Sequence, residues 1–210
     1  MRPIPSKGIY AITDGPRDNL LQVVEHALCG GVAMLQYRDL TQDDARRHTE
    51  ARALAALCAR HGVPLIIDHD VALARAVNAD GVHLRQDESD PAAVRAELGA
   101  DAIVGISCYA SAELARHAAN AGASYVSFGA FFPSPTKPAA GRATLEVLRQ
   151  SATLGIPRVA IGGITPDNAG LLIDAGAEFV AVVSALFSSS DACATAKRLN
   201  DLMPCQRIAP

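Results

Sequence analysis

YVSFGAFFPSPTKP, residues 125–138, is the stretch that decides the fold, because it joins a buried strand to a polar loop. Residues 125–132 form an apolar run with aromatic and β-branched side chains, which is typical of a buried strand. The run stops at a loop that contains Ser134, Thr136 and one cation, Lys137. Hydroxyls and a lysine at the end of a buried strand indicate a site for a small anion.

A second strand of this kind follows about thirty residues later, in RVAIGGIT, residues 158–165. Gly162 and Gly163 end it, and glycines allow backbone N–H groups to approach a ligand closely. The second half of the chain therefore contains two strand ends suited to anions.

Working outward from these two strands, the same alternation of strand and helix recurs at intervals of roughly 25 residues. The predicted strands are residues 8–12, 33–37, 65–67, 81–84, 103–106, 125–128, 158–161 and 179–183. The predicted helices are residues 18–29, 43–60, 72–78, 92–98, 112–121, 144–151, 166–175 and 191–202. For the seventh helix, Thr165 is the expected N-cap and Pro166 the first residue.

Eight strands alternating with eight helices predict an α/β fold, a single-domain (β/α)8 TIM barrel over residues 1–210. An open doubly wound sheet is the alternative, but the first strand ends in Ile12-Thr13-Asp14 without the expected glycine-rich turn. The tail, residues 204–210, is expected to fray.

Composition limits the kinds of partner. The net charge is -3 and no basic block is present, which argues against nucleic acid. No apolar run approaches the length of a membrane-spanning helix, and no signal peptide is evident. Five cysteines, an odd number without CxxC pairs, indicate reduced thiols. We therefore expect a cytoplasmic protein whose partners are small molecules.

In a TIM barrel the carboxyl ends of all strands open onto one face, where active sites form. The loops after strands seven and eight often bind phosphate there, and Gly162, Gly163 and Ser184 occupy those places. Polar residues or glycines lie at or just after the end of every predicted strand: Thr13, Asp14, Gln36, Arg38, Asp39, Asp68, His69, Asp70, Arg85, Gln86, Asp87, Glu88, Ser107, Ser134, Thr136, Lys137, Gly162, Gly163 and Ser184.

The other side of this rim mixes acids with cations. Arg38 and Lys137 can neutralise a second anionic group, while Asp68, Asp87 and Glu88 offer oxygen ligands to a hard cation such as Mg²⁺. Asp68 or Asp70 can instead cap the helix that begins near Val71. His83 lies within a strand and is interpreted as structural, whereas His69 lies at the rim, where acid–base work is open to it.

These residues resemble the thiamine-phosphate synthase family over about residues 8–190. The segments that carry the resemblance are YAITD at 10–14, LQYRD at 35–39, PLII at 64–67, ADGVHLRQDE at 79–88, VGISCY at 104–109, SYVSFGAFFPSPTK at 124–137, VAIGGITPDN at 159–168 and AVVSALF at 181–187. The family is a (β/α)8 barrel that joins a pyrimidine diphosphate to a thiazole phosphate and releases diphosphate, with Mg²⁺ assisting its departure.

The resemblance implies roles for particular residues. Gln36 and Arg38 would contact the pyrimidine diphosphate, with Ser107 and Lys137 holding its diphosphate and Asp68 nearby. Ser134 and Thr136 would approach the thiazole, and Gly163, Val183 and Ser184 would cradle its phosphate. Arg38, Ser107 and Lys137 are thereby the expected catalytic residues, and the metal positions of the family fall on His69 and Glu88.

The chain departs from the family pattern on the metal side. Leu40 stands where the family usually has lysine, His69 and Glu88 where it has aspartates, and Arg85 where it has glycine. Imidazole is a poor ligand for Mg²⁺, so Asp68 is the candidate substitute for the missing carboxylate. These departures leave open whether activity is reduced.

Two other functions remain open. A related thiazole tautomerase needs neither metal nor diphosphate, and His69 could shuttle its proton. A barrel that binds thiazole phosphate without catalysis is the third reading. Assembly into a homo-oligomer is not decided by the sequence.

Overall fold

The computed structural model describes residues 2–85, 87–88, 90–133 and 143–204, and it is a closed barrel of eight parallel strands. The strands are β1 Gly8–Ile12, β2 Met34–Tyr37, β3 Leu65–Asp68, β4 Gly81–Arg85, β5 Ile103–Ser107, β6 Tyr125–Gly129, β7 Arg158–Ile161 and β8 Phe179–Val182. The helices are α1 Leu20–Cys29, α2 Asp44–His61, α3 Val71–Val77, α4 Pro91–Leu98, α5 Ala112–Asn120, α6 Leu145–Gln150, α7 Ala169–Asp174, α8 Ser184–Phe187 and α9 Ala192–Asn200.

Each strand pairs with its neighbours in chain order, and β1 closes the ring by pairing with β8. The prediction of a (β/α)8 TIM barrel is confirmed, and every predicted strand agrees with the structure to within one residue at each end. The period of the pattern was sufficient because a strand followed by a helix and a parallel strand has few ways to pack.

Alternate residues of each strand face the helices or the barrel interior. Outward residues such as Ile9, Leu35 and Val126 belong to the large core between sheet and helices. The interior contains a second cluster: Tyr10, Ile12, Met34, Ile66, Ile103, Tyr125, Val159, Phe179 and Ala181. Layers of inward side chains are expected in this fold, although two tyrosines are unusual among the branched residues that dominate it.

Several helices begin at a side-chain cap. The carboxylates of Asp43, Asp70, Asp90 and Asp191 and the hydroxyl of Ser111 each accept a hydrogen bond from a backbone N–H in the first turn. The expectation that Asp68 or Asp70 caps α3 is confirmed for Asp70, whose Oδ1 lies 2.8 Å from the backbone N of Leu73. Asp68 instead lies at the rim, where it pairs with Arg38 and His69.

Two helix predictions were wrong. The seventh helix begins at Ala169 and not at Pro166, because Asn168 Oδ1 accepts from the Thr165 N–H at 2.9 Å and closes a turn before the helix. Thr165 is therefore not its cap. The short helix α8, directly after β8, was not predicted, because SALF reads as a continuation of an apolar strand.

The carboxyl ends of β1–β8 form one rim, and the sites discussed below lie on it. Within the part of the chain that the structure describes, no helix is both long and apolar enough to cross a membrane. The predicted frayed tail lies outside the described residues except for Pro204, whose carbonyl oxygen accepts from Lys7 Nζ at 2.6 Å.

Candidate active site

The structure brings together the predicted residues at the ends of β2, β3, β4 and β5. Gln36 lies beside Ile66 in the sheet register, and Arg85 lies beside Ser107. Arg38 follows β2, and its backbone is fixed by Thr13, whose buried Oγ1 donates to the Arg38 carbonyl at 2.9 Å and lies 2.8 Å from the Arg38 nitrogen. Sequence analysis placed Thr13 at the rim without a role, and the structure gives it one.

Five side chains form a row in which two carboxylates alternate with two arginines and an imidazole, and we call it the charged row: Arg38, Asp68, His69, Glu88 and Arg85. Arg38 Nε lies 3.5 Å from Asp68 Oδ2, and His69 Nε2 lies 3.5 Å from Asp68 Oδ1. His69 Nδ1 is 2.5 Å from Glu88 Oε2, and Arg85 Nη2 is 2.9 Å from Glu88 Oε1. Each carboxylate is thus shared by an arginine and the imidazole.

A cavity of about 450 Å³ opens beside the charged row. It is lined by Asp39, Leu40, Thr41, Arg47, Asp68, His69, Asp70 and Val71. Leu40, which stands where the resembling family usually has lysine, is 71% exposed. Arg47 contributes a cation to this cavity, but its Nη2 is held by Asp70 Oδ2 at 2.7 Å.

Asp68 and Glu88 are the carboxylates of the charged row, and each already pairs with an arginine and with His69. Among the described residues no group of three or more His, Cys, Asp or Glu is placed to hold a metal ion. Mg²⁺, however, is usually bound by one or two carboxylates together with substrate phosphates and water. Asp68 and Glu88 supply two such carboxylates, whereas both nitrogens of His69 already face them.

The ends of β7 and β8 form the other half of the rim. Gly163 has φ +62°, and a Cβ there would lie 2.9 Å from Phe132 Cβ, so only glycine fits between this turn and the loop after β6. Asn168 holds the turn from below, because its Nδ2 donates to the Gly163 carbonyl at 3.0 Å. On the neighbouring strand, Val183 precedes the first residue of α8, Ser184.

The loop after β6 runs toward this turn as far as it is described. The backbone nitrogens of Phe131 and Phe132 donate to the carbonyls of Ile161 and Gly162 at 3.1 and 3.0 Å. Four predicted rim residues, Gln86, Ser134, Thr136 and Lys137, lie outside the described residues. Their placement is an expectation from the sequence.

Sequence reasoning missed two buried tyrosines beneath the rim. Tyr10 Oη lies 3.1 Å from Gln36 Nε2 and 2.8 Å from Tyr125 Oη, and Tyr125 Oη lies 3.0 Å from His83 Nδ1. Burial, with the Asp68 charge adding to it, raises the pKa of both tyrosines well above the ordinary value. The alternation of β1 and β6 predicts inward tyrosines, but not that they meet.

Asp39 has a structural role at the end of β2. Its buried carboxylate accepts from the Thr41 N–H at 2.8 Å and from Arg46 Nη1 at 2.7 Å. Burial acts to raise its pKa, but these donors outweigh burial and the pKa lies below the ordinary value. Asp39 is therefore ionised and fixes the loop that carries Leu40.

Comparison with known proteins covers almost the whole chain. A family model described as thiamine monophosphate synthase matches residues 9–186. A thiamine-phosphate synthase of Thiobacillus denitrificans is 53% identical over 205 residues, which cover 96% of this chain and 97% of that protein. One from Azoarcus is 54% identical over 188 residues, covering 88% of this chain and 91% of that protein.

Solved structures give the same result. A thiamine phosphate pyrophosphorylase from Pyrococcus furiosus superposes with a TM-score of 0.83 at 30% identity, covering 94% of this chain and 95% of that one. A 3-hexulose-6-phosphate synthase superposes with a TM-score of 0.71 at 18% identity, which supports the fold alone.

Proposed function

The chain belongs to the thiamine monophosphate synthase family and is a transferase of thiamine biosynthesis, from which we infer that it joins hydroxymethylpyrimidine diphosphate to a thiazole phosphate, or its carboxylate, and releases diphosphate. The observation that carries this proposal is the division of the rim. The charged row and Ser107 lie on one side, and the glycine turn after β7 with Ser184 lies on the other. Two anionic substrates thus have separate sites on one face.

The pyrimidine diphosphate is assigned to the side of β2–β5. Gln36, which is 2% exposed at the end of β2, is assigned to the pyrimidine ring. Arg38 and Lys137 supply positive charge to the diphosphate, and Ser107 supplies a hydroxyl. Arg85 adds a further cation near Ser107, which compensates for the lysine that Leu40 replaces.

The thiazole phosphate is assigned to the side of β7 and β8. Gly163, Val183 and Ser184 are assigned to its phosphate, for which they offer backbone N–H groups and a hydroxyl, and the loops after these strands often bind phosphate in this fold. Ser134 and Thr136, in the loop after β6, are assigned to the thiazole itself.

Mg²⁺, if bound by Asp68 and Glu88, would neutralise charge that develops on the diphosphate. The two arginines of the charged row would also stabilise this negative charge. Arg38 and Arg85, drawn from their carboxylates toward the diphosphate, would stabilise it as the bond between the pyrimidine methylene carbon and oxygen breaks. The thiazole nitrogen then forms the new carbon–nitrogen bond with its lone pair. Such a transfer depends on electrostatic stabilisation of the leaving group more than on a strong base.

Small molecules are the proposed partners, and the cytoplasm is the proposed location. The four cysteines among the described residues are free thiols, which supports a reducing compartment. A thiazole tautomerase is the second candidate, because His69 replaces a family carboxylate and lies 35% exposed at the rim.

The deciding experiment is an assay of thiamine phosphate formation from the two substrates across a series of divalent metals. We expect metal-dependent release of one diphosphate per product. Absence of product with every metal would overturn the proposal. In that case isomerisation of the thiazole without metal or pyrimidine would identify a tautomerase, and calorimetric binding of thiazole phosphate alone would identify a binding protein.

A further inference from the structure

A chain of hydrogen-bonding side chains crosses the barrel interior below Gln36. It runs from Gln36 Nε2 to Tyr10 Oη at 3.1 Å, to Tyr125 Oη at 2.8 Å and to His83 Nδ1 at 3.0 Å, and the other ring nitrogen of His83 lies 3.4 Å from Ser127 Oγ. These residues come from β2, β1, β6 and β4, so the chain links strands on different sides of the barrel.

The hydrogen-bonded chain of side chains fits in the barrel interior because a neighbouring strand carries a glycine. A Cβ at Gly105 would overlap the Tyr125 ring, so β5 must carry glycine for the tyrosine to reach His83. The Tyr125 ring stacks on His83 with centroids 5.5 Å apart and meets the Tyr10 ring edge-on at 5.8 Å. Tyr10 and Tyr125 are 1% and 0% exposed, so both side chains are buried from the bulk solvent.

Each tyrosine hydroxyl has one proton to donate. All hydrogen bonds along this chain of side chains therefore run in the same direction, either from Gln36 to His83 or from His83 to Gln36. When the Gln36 amide donates to Tyr10, Tyr10 donates to Tyr125, and Tyr125 donates to His83 Nδ1. Neutral His83 then carries its proton on Nε2, facing Ser127. The reverse direction requires a proton on His83 Nδ1. It also requires a Gln36 amide rotated by about 180°, so that Oε1 instead of Nε2 faces Tyr10. A mixed arrangement leaves one buried hydroxyl proton without an acceptor among these side chains, which costs about 1–3 kcal/mol.

We propose that His83 is a positioning residue for the pyrimidine substrate, because its tautomer, transmitted through Tyr125 and Tyr10, decides whether Gln36 offers the substrate an oxygen or an NH2 group. In the first direction, which follows if Gln36 Nε2 is the atom that faces Tyr10 Oη at 3.1 Å, Gln36 Oε1 is left to accept from a donor on the pyrimidine ring. This inference rests on the proposed function only in assigning the pyrimidine to Gln36.

The first test is independent of activity. Nitrogen-15 NMR of the histidine side chains reports which ring nitrogen of His83 carries the proton, and we expect Nε2–H. Gln36→Glu replaces the donor with a carboxylate that only accepts, and should move the His83 proton to Nδ1. In Tyr125→Phe, which lacks the linking hydroxyl, the same Gln36→Glu change should leave the tautomer unaltered.

Two results would overturn the inference. One is a His83 tautomer that does not change in Gln36→Glu, and the other is the same tautomer change when Tyr125→Phe has removed the linking hydroxyl. These exchanges nearly preserve shape, and thermal melts verify folding. If Tyr125→Phe does not fold, Tyr10→Phe takes its place, because it removes the neighbouring hydroxyl of the same hydrogen-bonded chain.

The second test separates positioning from general structural support. His83→Asn places an amide near the position of Nδ1, whereas His83→Gln reaches only toward Nε2. We expect the KM for the pyrimidine diphosphate to rise about tenfold in His83→Gln, as for one lost hydrogen bond, and to be largely restored in His83→Asn, with the KM for thiazole phosphate unchanged. Equal changes in both KM values, or equal behaviour of the two variants, contradict the inference. Failure of the proposed function would instead remove activity from the unmodified protein.

Discussion

His69, which stands where the resemblance to the family implies an aspartate, lies between two carboxylates of the charged row. Its backbone is left-handed, with φ +60°, which turns the side chain back over the rim between Asp68 and Glu88. An imidazole can donate there to at least one carboxylate, whereas an aspartate only accepts and would repel its two neighbours unless a cation lay between them. The charged row is thus held together by the chain's own residues.

His69→Asp should strengthen metal binding. It replaces a bridging imidazole with a third carboxylate beside Asp68 and Glu88, and we expect the Mg²⁺ concentration for half-maximal diphosphate release to fall by about tenfold. His69→Asn is the matched control, since it removes the imidazole, adds no charge and tolerates the left-handed backbone. Equal metal dependence in His69→Asp and the unmodified protein would mean that Asp68 and Glu88 already suffice.

At the level of elements, the end of β2 is fixed by Asp39. The folded-state pKa of Asp39 lies below its ordinary value of 3.8, so its contribution to stability is complete above about pH 4 and is lost as pH falls through the folded pKa. Arg46 lies 2.7 Å from this carboxylate and is one source of the lowered pKa.

Arg46→Met should make the free energy of unfolding less dependent on pH below about pH 4, because the Asp39 pKa then returns toward its ordinary value. Urea unfolding at a series of pH values measures this. Arg52→Met, on an exposed position of the same helix, removes the same charge without that contact. The prediction fails if the two variants lose stability in acid to the same extent as the unmodified protein.

The β7–α7 turn is held by one side chain, Asn168. Its Oδ1 accepts from the Thr165 N–H at 2.9 Å while its Nδ2 donates to the Gly163 carbonyl at 3.0 Å. The turn that we assign to the thiazole phosphate therefore depends on a residue that does not itself belong to the predicted phosphate site.

Asn168→Ala should loosen this turn. Losing two hydrogen bonds of about 1 kcal/mol each should raise the KM for thiazole phosphate roughly tenfold, while the KM for the pyrimidine diphosphate stays constant. Asp167→Ala is the control, since Asp167 is the exposed neighbour and pairs only with Arg198 among the ion pairs of the described residues. Steady-state kinetics with each substrate varied in turn decides the matter, and a KM change confined to the pyrimidine would contradict our assignment.

At the level of the whole molecule, closure depends on the two ends of the barrel meeting. β1 pairs with β8, and α9 packs on α1. Asn200, the last residue of α9, donates from Nδ2 to the carbonyls of Gly30 and Gly31 at 3.0 and 2.7 Å. These carbonyls lie at the C-terminal end of α1, which gains partners that its own helix cannot provide.

Asn200→Ala should destabilise the fold by about 1–3 kcal/mol, because it leaves carbonyl groups at the end of α1 without this donor. Asp201→Ala, at the exposed neighbouring position, should change stability by less than about 0.5 kcal/mol. Urea unfolding measures both free energies. A small effect for Asn200→Ala would show that β1–β8 pairing alone closes the barrel.

Most of the fold was predictable, because strand and helix periods are local properties. The eight strands agree to within one residue. One helix error arose where the Asn168 side chain closes a turn before α7, and the other where the apolar sequence of α8 resembles a continued strand. The family could also be recognised from the sequence, because each motif at a strand end is contiguous along the chain. The sequence predicted that the residues of the charged row lie at the rim, but it did not predict which of them form ion pairs.

By itself, then, the sequence determined the barrel, its rim and the family, because each depends on short motifs and on a repeat along the chain. Only the tertiary structure decided that Gln36, Tyr10, Tyr125 and His83 form one hydrogen-bonded chain, and that His69 lies between Asp68 and Glu88. These contacts join residues up to 115 positions apart. Their distances follow from how strands of the barrel face one another across its interior, which no local pattern records.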